Sequence, residues 1–178
     1  LPLVDYGHAD FGENKVQEAT DKWSDIKKKF KELKLHMIGK LQTNKVKQAV
    51  EIFDYIHSLD SIKLAKKISD EQHKIKKDLK IFIQLNIGNE PQKSGIKINE
   101  LSNFYKTCTE EFNLNIVGLM CLPPLGEDSS KYFEIMKTTS KEFPFSELSM
   151  GMSSDYLEAL KFGASYIRIG SKIFGERN

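Results

Sequence analysis

Short apolar segments alternate with longer amphipathic segments along most of the chain. Apolar runs of this length, separated by polar and glycine-containing residues, are typical of buried strands. We predict seven strands, at residues 9–13, 35–39, 55–60, 80–87, 115–122, 146–151 and 166–170. No hairpin signal joins consecutive strands, so each connection is expected to cross over to a parallel neighbour.

The longer segments have helical periodicity. Leu101, Phe104 and Cys108, for example, recur at a spacing that places them on one face of a helix. We predict helices at residues 15–29, 44–53, 62–76, 99–112, 129–142 and 155–162. Candidate caps are Asp60 or Ser61 and Ser154 at helix starts, and Gly163 just past a helix end.

Strands that alternate with helices predict an α/β fold with a parallel sheet. Residues 1–7 resemble the end of a helix that stops at Gly7, and such a helix should follow a strand of its own. Counting that strand gives eight, so we expect a (β/α)8 barrel whose first strand is absent from this chain, as one domain over residues 1–178. The alternative is an open doubly wound sheet, but no GxGxxG sequence follows the first strand.

Composition narrows the function classes. The 178 residues include 27 basic and 25 acidic side chains, a net charge of +2, which gives no support to a nucleic-acid partner. No apolar stretch approaches about 18 residues, so no membrane partner is expected. Cys108 and Cys121 lie far apart, outside any metal or redox spacing, which suits a reducing compartment and predicts a cytoplasmic location.

In barrels of this class, functional residues lie at the carboxyl ends of the strands, and phosphate is commonly bound after strands seven and eight. Ser153 follows the strand at 146–151, while Gly170 and Ser171 follow the strand at 166–170. A serine hydroxyl and two backbone amides could together hold a phosphate. The alternative interpretation of Ser153 is a helix cap.

Arg168 lies in a strand that otherwise looks buried. Alternation places Tyr166 and Arg168 on one face and Ile167 on the other. Because a guanidinium is rarely buried without a partner, Arg168 faces water, joins a structural salt bridge, or meets a polar ligand at the end of the strand.

Several other polar residues have plainer interpretations. His8 and His57 share no ligand spacing with a second metal-binding side chain, and we interpret them as packing or surface residues. Met152 ends a strand, where it would fill the core or contact a bound ring.

Six segments resemble the successive signatures of the pyridoxal phosphate homeostasis protein family, which is related to the barrel domain of alanine racemase. In chain order they are FGENKVQEA, LHMIGKLQTNKVKQAV, NEPQKSGI, GLMCLPP, LSMGMSSDYLEAL and RIGSKIFGER. The resemblance runs from about Gly7 to Arg177. It implies the barrel fold of the fold-type III proteins that depend on pyridoxal 5′-phosphate (PLP).

The resemblance also implies a cofactor site at the mouth of the barrel. Ser153, Gly170 and Ser171 match the phosphate ligands of the family, and Arg168 matches the arginine that approaches the pyridine nitrogen. Asn14 and His36 are implied to line the pocket, and Met152 is a further candidate for contact with the ring.

The implied function is PLP binding and intracellular PLP homeostasis. We expect a monomer that stores the cofactor and delivers it to PLP-dependent apo-enzymes, without catalytic residues. A guanidinium beside the pyridine nitrogen disfavours its protonation and makes the cofactor a poor electron sink, which suits storage. The alternatives are a racemase-like PLP enzyme and a phosphate-binding barrel enzyme.

One element of the family pattern has no match. The family holds PLP through a lysine on a strand that would precede the first visible strand, and this sequence begins after that segment. Four other lysines follow predicted strands, and we interpret all of them as surface or loop residues: Lys40, Lys45, Lys93 and Lys172.

Overall fold

The computed structural model of the chain describes residues 2–175. Leu1 and residues 176–178 lie outside the described part, and so do the last positions of the predicted resemblance, Glu176 and Arg177. The described strands are β1 (Asp10–Glu13), β2 (Lys34–Met37), β3 (Tyr55–Leu59), β4 (Lys80–Leu85), β5 (Asn115–Cys121), β6 (Glu147–Met152) and β7 (Tyr166–Arg168).

Helices follow the first six strands as the periodicity predicts, and a further short helix after the last strand, at Ser171–Phe174, is not among those predicted. The helices are α1 (Pro2–Asp5), α2 (Val16–Lys29), α3 (Val46–Ile52), α4 (Ile62–Lys74), α5 (Leu101–Lys106), α6 (Ser130–Ser140), α7 (Tyr156–Lys161) and α8 (Ser171–Phe174). A π-helical turn, Thr107–Glu111, continues α5, so the predicted single helix over 99–112 changes its winding part-way. Short 3₁₀ turns at Thr43–Lys45 and Ile98–Glu100 lead into α3 and α5.

All seven strands form one sheet in the sequential order β1 to β7, and every neighbouring pair is parallel. Within the described residues, β1 and β7 are the two edges of this sheet. The sheet curls into a nearly closed barrel, as the contacts between side chains of distant strands inside it show. The Tyr166 hydroxyl on β7 lies 3.4 Å from the Tyr55 hydroxyl on β3, for example. The α/β barrel prediction is confirmed.

Apolar burial divides between two layers. The larger core lies between the strands and the outer helices, where Trp23, Phe53 and Phe133 are almost completely buried. A smaller cluster centred on Phe82 and Met120 fills the barrel interior. Burying one large apolar side chain contributes roughly 1.5–3 kcal/mol, so the outer core supplies most of the stability.

The ends of the helices test the predicted caps. Gly7 and Gly163 have φ of +84° and +86° after α1 and α7, as the glycine stop signals predict. Ser61 caps α4, its side chain accepting from the Leu64 amide at 3.4 Å. The prediction for Ser154 is wrong. The N-cap of α7 is Asp155.

Among the helices of residues 2–175, none combines the length and the apolar content that crossing a bilayer requires.

Candidate functional site

A cavity of about 1250 Å³ opens at the carboxyl ends of the strands and reaches between the edge strands β1 and β7. Most of the sequence-predicted site residues line it, namely Asn14, His36, Met152, Arg168, Gly170 and Ser171. The closing of the sheet therefore brings together residues that the sequence separates by more than a hundred positions. Ser153 lies beside this cavity rather than in its lining.

The exits of β6 and β7 meet at one point. The Gly170 amide donates to the Ser153 hydroxyl oxygen at 3.3 Å, so the two predicted phosphate-binding turns are in direct contact. A side chain added at Gly170 would meet no heavy atom within 4 Å, which leaves open space over its backbone. The Ser153 hydroxyl is not a helix cap here, since α7 begins beyond Asp155.

The turn after β6 is tight, and its sequence explains why. Gly151 has φ of +91°, and a Cβ there would come within 2.6 Å of the Ala159 Cβ on α7. Glycine is therefore required both for the backbone conformation and for the close approach of the helix. The Asp155 carboxylate then accepts from the Met152 amide at 2.7 Å, which fixes the turn that presents Ser153.

Arg168 points into the barrel, not toward water. Its Nη1 donates to the Ser149 hydroxyl at 2.7 Å, and its Nη2 donates to the Cys121 carbonyl at 2.8 Å. Among residues 2–175, no carboxylate oxygen lies within 4.0 Å of the guanidinium, so the salt-bridge alternative is not what the structure has. Burial lowers the Arg168 pKa, although a guanidinium stays protonated at neutral pH. Arg168 also has N–H donors beyond these two bonds.

Behind Arg168, polar side chains from four other strands, β6, β3, β2 and β1, form a continuous chain of hydrogen bonds. The Ser149 hydroxyl lies 2.7 Å from His57 Nδ1, and His57 Nε2 lies 2.9 Å from His36 Nδ1. The far ring nitrogen of His36 lies 3.0 Å from an Asp10 carboxylate oxygen. Four successive hydrogen bonds thus join Arg168 to Asp10 across the barrel.

The two histidines of this hydrogen-bond chain, His36 and His57, are buried, and their surroundings favour the neutral imidazole. Burial lowers the pKa of His57 well below its usual value, and the positive charge of Arg168 acts in the same direction, as would a protonated His36. Burial also lowers the pKa of His36, and the hydrogen bond to Asp10 offsets only part of that effect. Aromatic rings hold the imidazoles in place, with His57 stacked on Phe82 at 4.3 Å between ring centroids.

The exits of β1 and β2 form the opposite wall. Asn14 follows β1 and lines the cavity there. Gly39 follows β2, and a Cβ on it would come within 2.3 Å of the Asn14 carbonyl oxygen. A glycine at this position lets the two exits approach closely, and this approach sets where Asn14 stands relative to the cavity.

Two of the lysines that follow strands also reach the cavity. Lys40 and Lys93 are among its lining residues. Lys93 is not a free amine, because its Nζ pairs with Glu90 at 2.5 Å and donates to the Pro123 carbonyl at 3.3 Å. Lys172 lies with its Nζ 4.7 Å from the centre of the Tyr156 ring.

Sequence reasoning missed the interior chain. The sequence patterns do not single out Asp10 or Ser149, and the interpretation of His57 as a packing or surface residue does not predict its hydrogen bonds. A signal does exist in the strands. His36 and Ser149 each stand between apolar neighbours in a buried strand, which is the pattern of a polar side chain that faces the barrel interior. His57 is preceded by Ile56 but followed by Ser58, so this signal is weaker for His57.

Comparison with known proteins adds independent findings. The sequence model of the family described as alanine racemase, N-terminal domain, matches residues 1–178. The pyridoxal phosphate homeostasis protein of Pasteurella multocida (strain Pm70) is 36% identical over 182 residues, which cover 97% of this chain and 78% of that protein. The protein of the same name from Escherichia coli (strain K12) is 34% identical over 188 residues, covering 98% and 79% of the two chains.

Solved structures agree with these sequence matches. PipY of Synechococcus elongatus PCC7942 is 34% identical, with 98% of this chain and 85% of that chain covered. The TM-score is 0.90 to its structure without PLP and 0.89 to its structure with PLP bound. An alanine racemase from Clostridium difficile 630, 12% identical with a TM-score of 0.73 over 99% of this chain and 47% of that one, shares the fold.

Proposed function

This chain belongs to the pyridoxal phosphate homeostasis protein family, within the wider group defined by the alanine racemase N-terminal domain, and we propose that it binds PLP and serves in PLP homeostasis. The observation that carries the proposal is the pairing of two groups at one cavity. The contact between Ser153 and Gly170 offers an anion site, and Arg168 offers a fixed cation to a heterocycle.

The phosphate end fits the residues present. The Ser153 hydroxyl and the Gly170 amide lie 3.3 Å apart, close enough for one phosphate oxygen to contact both. Ser171 adds a hydroxyl and an amide next to them along the chain. The open space over Gly170 leaves room for the phosphate against the backbone.

The ring end fits as well. Arg168 lies two residues before Gly170 on the same strand exit, so a ligand whose phosphate sits at Gly170 has its ring over the end of β7. PLP supplies an aldehyde and an electron-withdrawing pyridine ring when bound. A guanidinium can only donate to the ring nitrogen, which therefore stays unprotonated, and the ring then withdraws electrons weakly.

The remaining predicted residues complete the pocket. Met152 is half-buried at the end of β6, pairs in register with Arg168, and lines the cavity. Its thioether is a suitable apolar contact for one face of a planar ring. Asn14 and His36 line the opposite side of the same cavity, as the resemblance implies.

The proposal extends to the biological setting. We propose that the protein is a monomer in the cytoplasm and passes PLP to apo-enzymes. The free thiols of the two buried cysteines support a reducing compartment. A site in which the cation weakens the electron sink supports storage rather than turnover.

The direct test uses pyridoxine 5′-phosphate, which lacks the aldehyde and so cannot react with surface lysines. We expect it to bind wild-type protein with one site per chain in isothermal titration calorimetry. The variant Ser153→Ala should bind about tenfold more weakly, because a hydrogen bond to a charged phosphate is lost.

The neighbouring serine supplies a matched control. Ser154 is exposed and is one residue further along the same turn, so Ser154→Ala should bind like wild type. Equal affinity in both variants, or equal loss in both, would contradict the proposed phosphate site.

A further inference from the structure

We infer that Asp10, His36, His57 and Ser149 form a one-directional hydrogen-bond chain that positions Arg168 for the ring nitrogen of the ligand. These four are positioning residues, since they act through Arg168. The inference rests on the proposed function for the identity of the ligand, but the chain and its direction follow from residues of this protein alone.

The direction of the chain follows from what each group can donate. Arg168 only donates, so the Ser149 oxygen accepts from it at 2.7 Å. The Ser149 hydroxyl proton is then directed to His57 Nδ1, also at 2.7 Å. At the other end the ionised Asp10 carboxylate only accepts, so His36 must carry its proton on Nε2.

The middle bond is then fixed as well. A neutral His36 with its proton on Nε2 has a bare Nδ1, which must accept from His57 Nε2–H at 2.9 Å. His57 Nδ1 is consequently bare and accepts from Ser149. All four bonds are satisfied only when donation runs from Arg168 to Asp10 and both imidazoles are neutral Nε2–H tautomers.

The opposite direction fails at both ends. If His57 donated to Ser149, the Ser149 oxygen would accept twice and its own proton would need another acceptor. His36 would then face the Asp10 carboxylate with a bare nitrogen lone pair, which is repulsive. The arrangement therefore has one consistent state, and buried networks with a single satisfied state hold their members rigidly.

The hydrogen-bond chain also explains how the Arg168 guanidinium remains inside the barrel with no carboxylate of the described residues beside it. The aligned dipoles of Ser149, His57 and His36 lead from the positive charge of Arg168 to the negative charge of Asp10 on the far edge strand. A second anchor, the Cys121 carbonyl, holds the other amino group of the guanidinium. Because Nη1 and Nη2 are both held by hydrogen bonds, the orientation of the remaining N–H donors of Arg168 is fixed too.

The first experiment needs no ligand. Long-range nitrogen–proton NMR correlation of the protein with labelled histidine reports the tautomer of each ring at pH 7. We expect Nε2–H for both His36 and His57. A His57 ring that carries its proton on Nδ1, or on both nitrogens, would overturn the chain.

The second experiment tests the action on the ring nitrogen. Ser149→Ala removes one anchor of the guanidinium, and we expect pyridoxine 5′-phosphate to bind it about tenfold more weakly than wild type. The analogue of pyridoxine 5′-phosphate in which a C–H replaces the ring nitrogen should bind wild type and Ser149→Ala with the same affinity. Comparing the two ligands on the two proteins isolates the energetic coupling between Ser149 and the ring nitrogen, which acts through Arg168.

Ser58→Ala is the matched control, because Ser58 is also a buried strand serine but its hydroxyl has no hydrogen-bond partner among residues 2–175. Its affinity for both ligands should equal that of wild type. If Ser149→Ala weakens both ligands equally, Ser149 supports only the fold and the inference is wrong. If wild type binds neither ligand, the proposed function fails, while the histidine tautomers still support or overturn the chain.

Discussion

The central strands β3, β4 and β5 and the edge strands β1 and β7 differ sharply in burial. Every residue of β3 is buried, as is every residue of β4 after Lys80, whereas no residue of β1 or β7 is fully buried. Yet the edge strands carry Asp10 and Arg168, the two charged ends of the interior hydrogen-bond chain. The centre of the sheet stabilises the fold, and the edges hold the charged groups of the proposed site.

The largest expected difference is in stability. Ile81→Ala on β4 should lower the free energy of unfolding by about 2–5 kcal/mol, because Ile81 is completely buried. Ile167→Ala on β7 should lower it by about 1 kcal/mol or less, because 37% of Ile167 is exposed. Urea unfolding of both variants measures the contrast, and equal losses would show that the edge is as tightly packed as the centre.

The second expected effect is on ligand affinity. Arg168→Met should weaken pyridoxine 5′-phosphate by about 10–100-fold, because a charged donor to the ring is lost. The free energy of unfolding should change by only about 1 kcal/mol, since the lost hydrogen bonds are offset by removing a buried charge. Calorimetric titration and urea unfolding report the two quantities separately. A large loss of stability with unchanged affinity would assign Arg168 to the fold.

The third expected effect is a pH dependence with a defined sign. His36 and His57 have lowered pKa values in the folded state, so below about pH 6.5 the unfolded chain binds protons that the folded chain does not. Stability should therefore be greatest well above pH 6.5 and fall as the pH drops, by at most about 1 kcal/mol per histidine between pH 7 and 5.5.

Urea unfolding at several pH values checks this sign. His57→Gln should flatten the dependence, whereas His73→Gln, on the exposed face of α4, should keep the wild-type slope. Stability that rises as the pH falls from 7 to 5.5 would contradict the neutral state of the two buried histidines.

The smallest expected effect concerns the thiols. Burial raises the pKa of Cys121 and of Cys108 to about 12, so at pH 8 only about one thiol in 10⁴ is ionised. We expect no measurable alkylation by iodoacetamide in the folded protein and rapid alkylation in urea. Alkylation of Cys121 in the folded state would show that the end of β5, whose Cys121 carbonyl accepts from Arg168, opens to solvent.

Much of the architecture could be predicted because it depends on local patterns. Strand and helix positions follow from periodicity, and the stop signals at Gly7 and Gly163 depend only on nearby residues. The start of α7 was harder, since Ser154 and Asp155 are both good caps and the hydrogen bond from Met152 favours Asp155.

The candidate site could be predicted only in part. The positions of Ser153 and Gly170 follow from a general rule for the last strands of such barrels, and the inward direction of Arg168 is one of the options that strand alternation allows. The interior chain could not be predicted, because His57 and Ser149 are 92 residues apart along the chain. The predicted barrel does not by itself say which interior side chains of distant strands come within hydrogen-bond distance of each other.

The most direct test of the central claim is a crystal structure of this chain with pyridoxine 5′-phosphate bound. We expect a phosphate oxygen within hydrogen-bond distance, about 2.7–3.2 Å, of the Ser153 hydroxyl and the Gly170 amide, and an Arg168 nitrogen equally close to the ring nitrogen. A phosphate bound elsewhere, or an Arg168 that keeps away from the ring, would contradict the account.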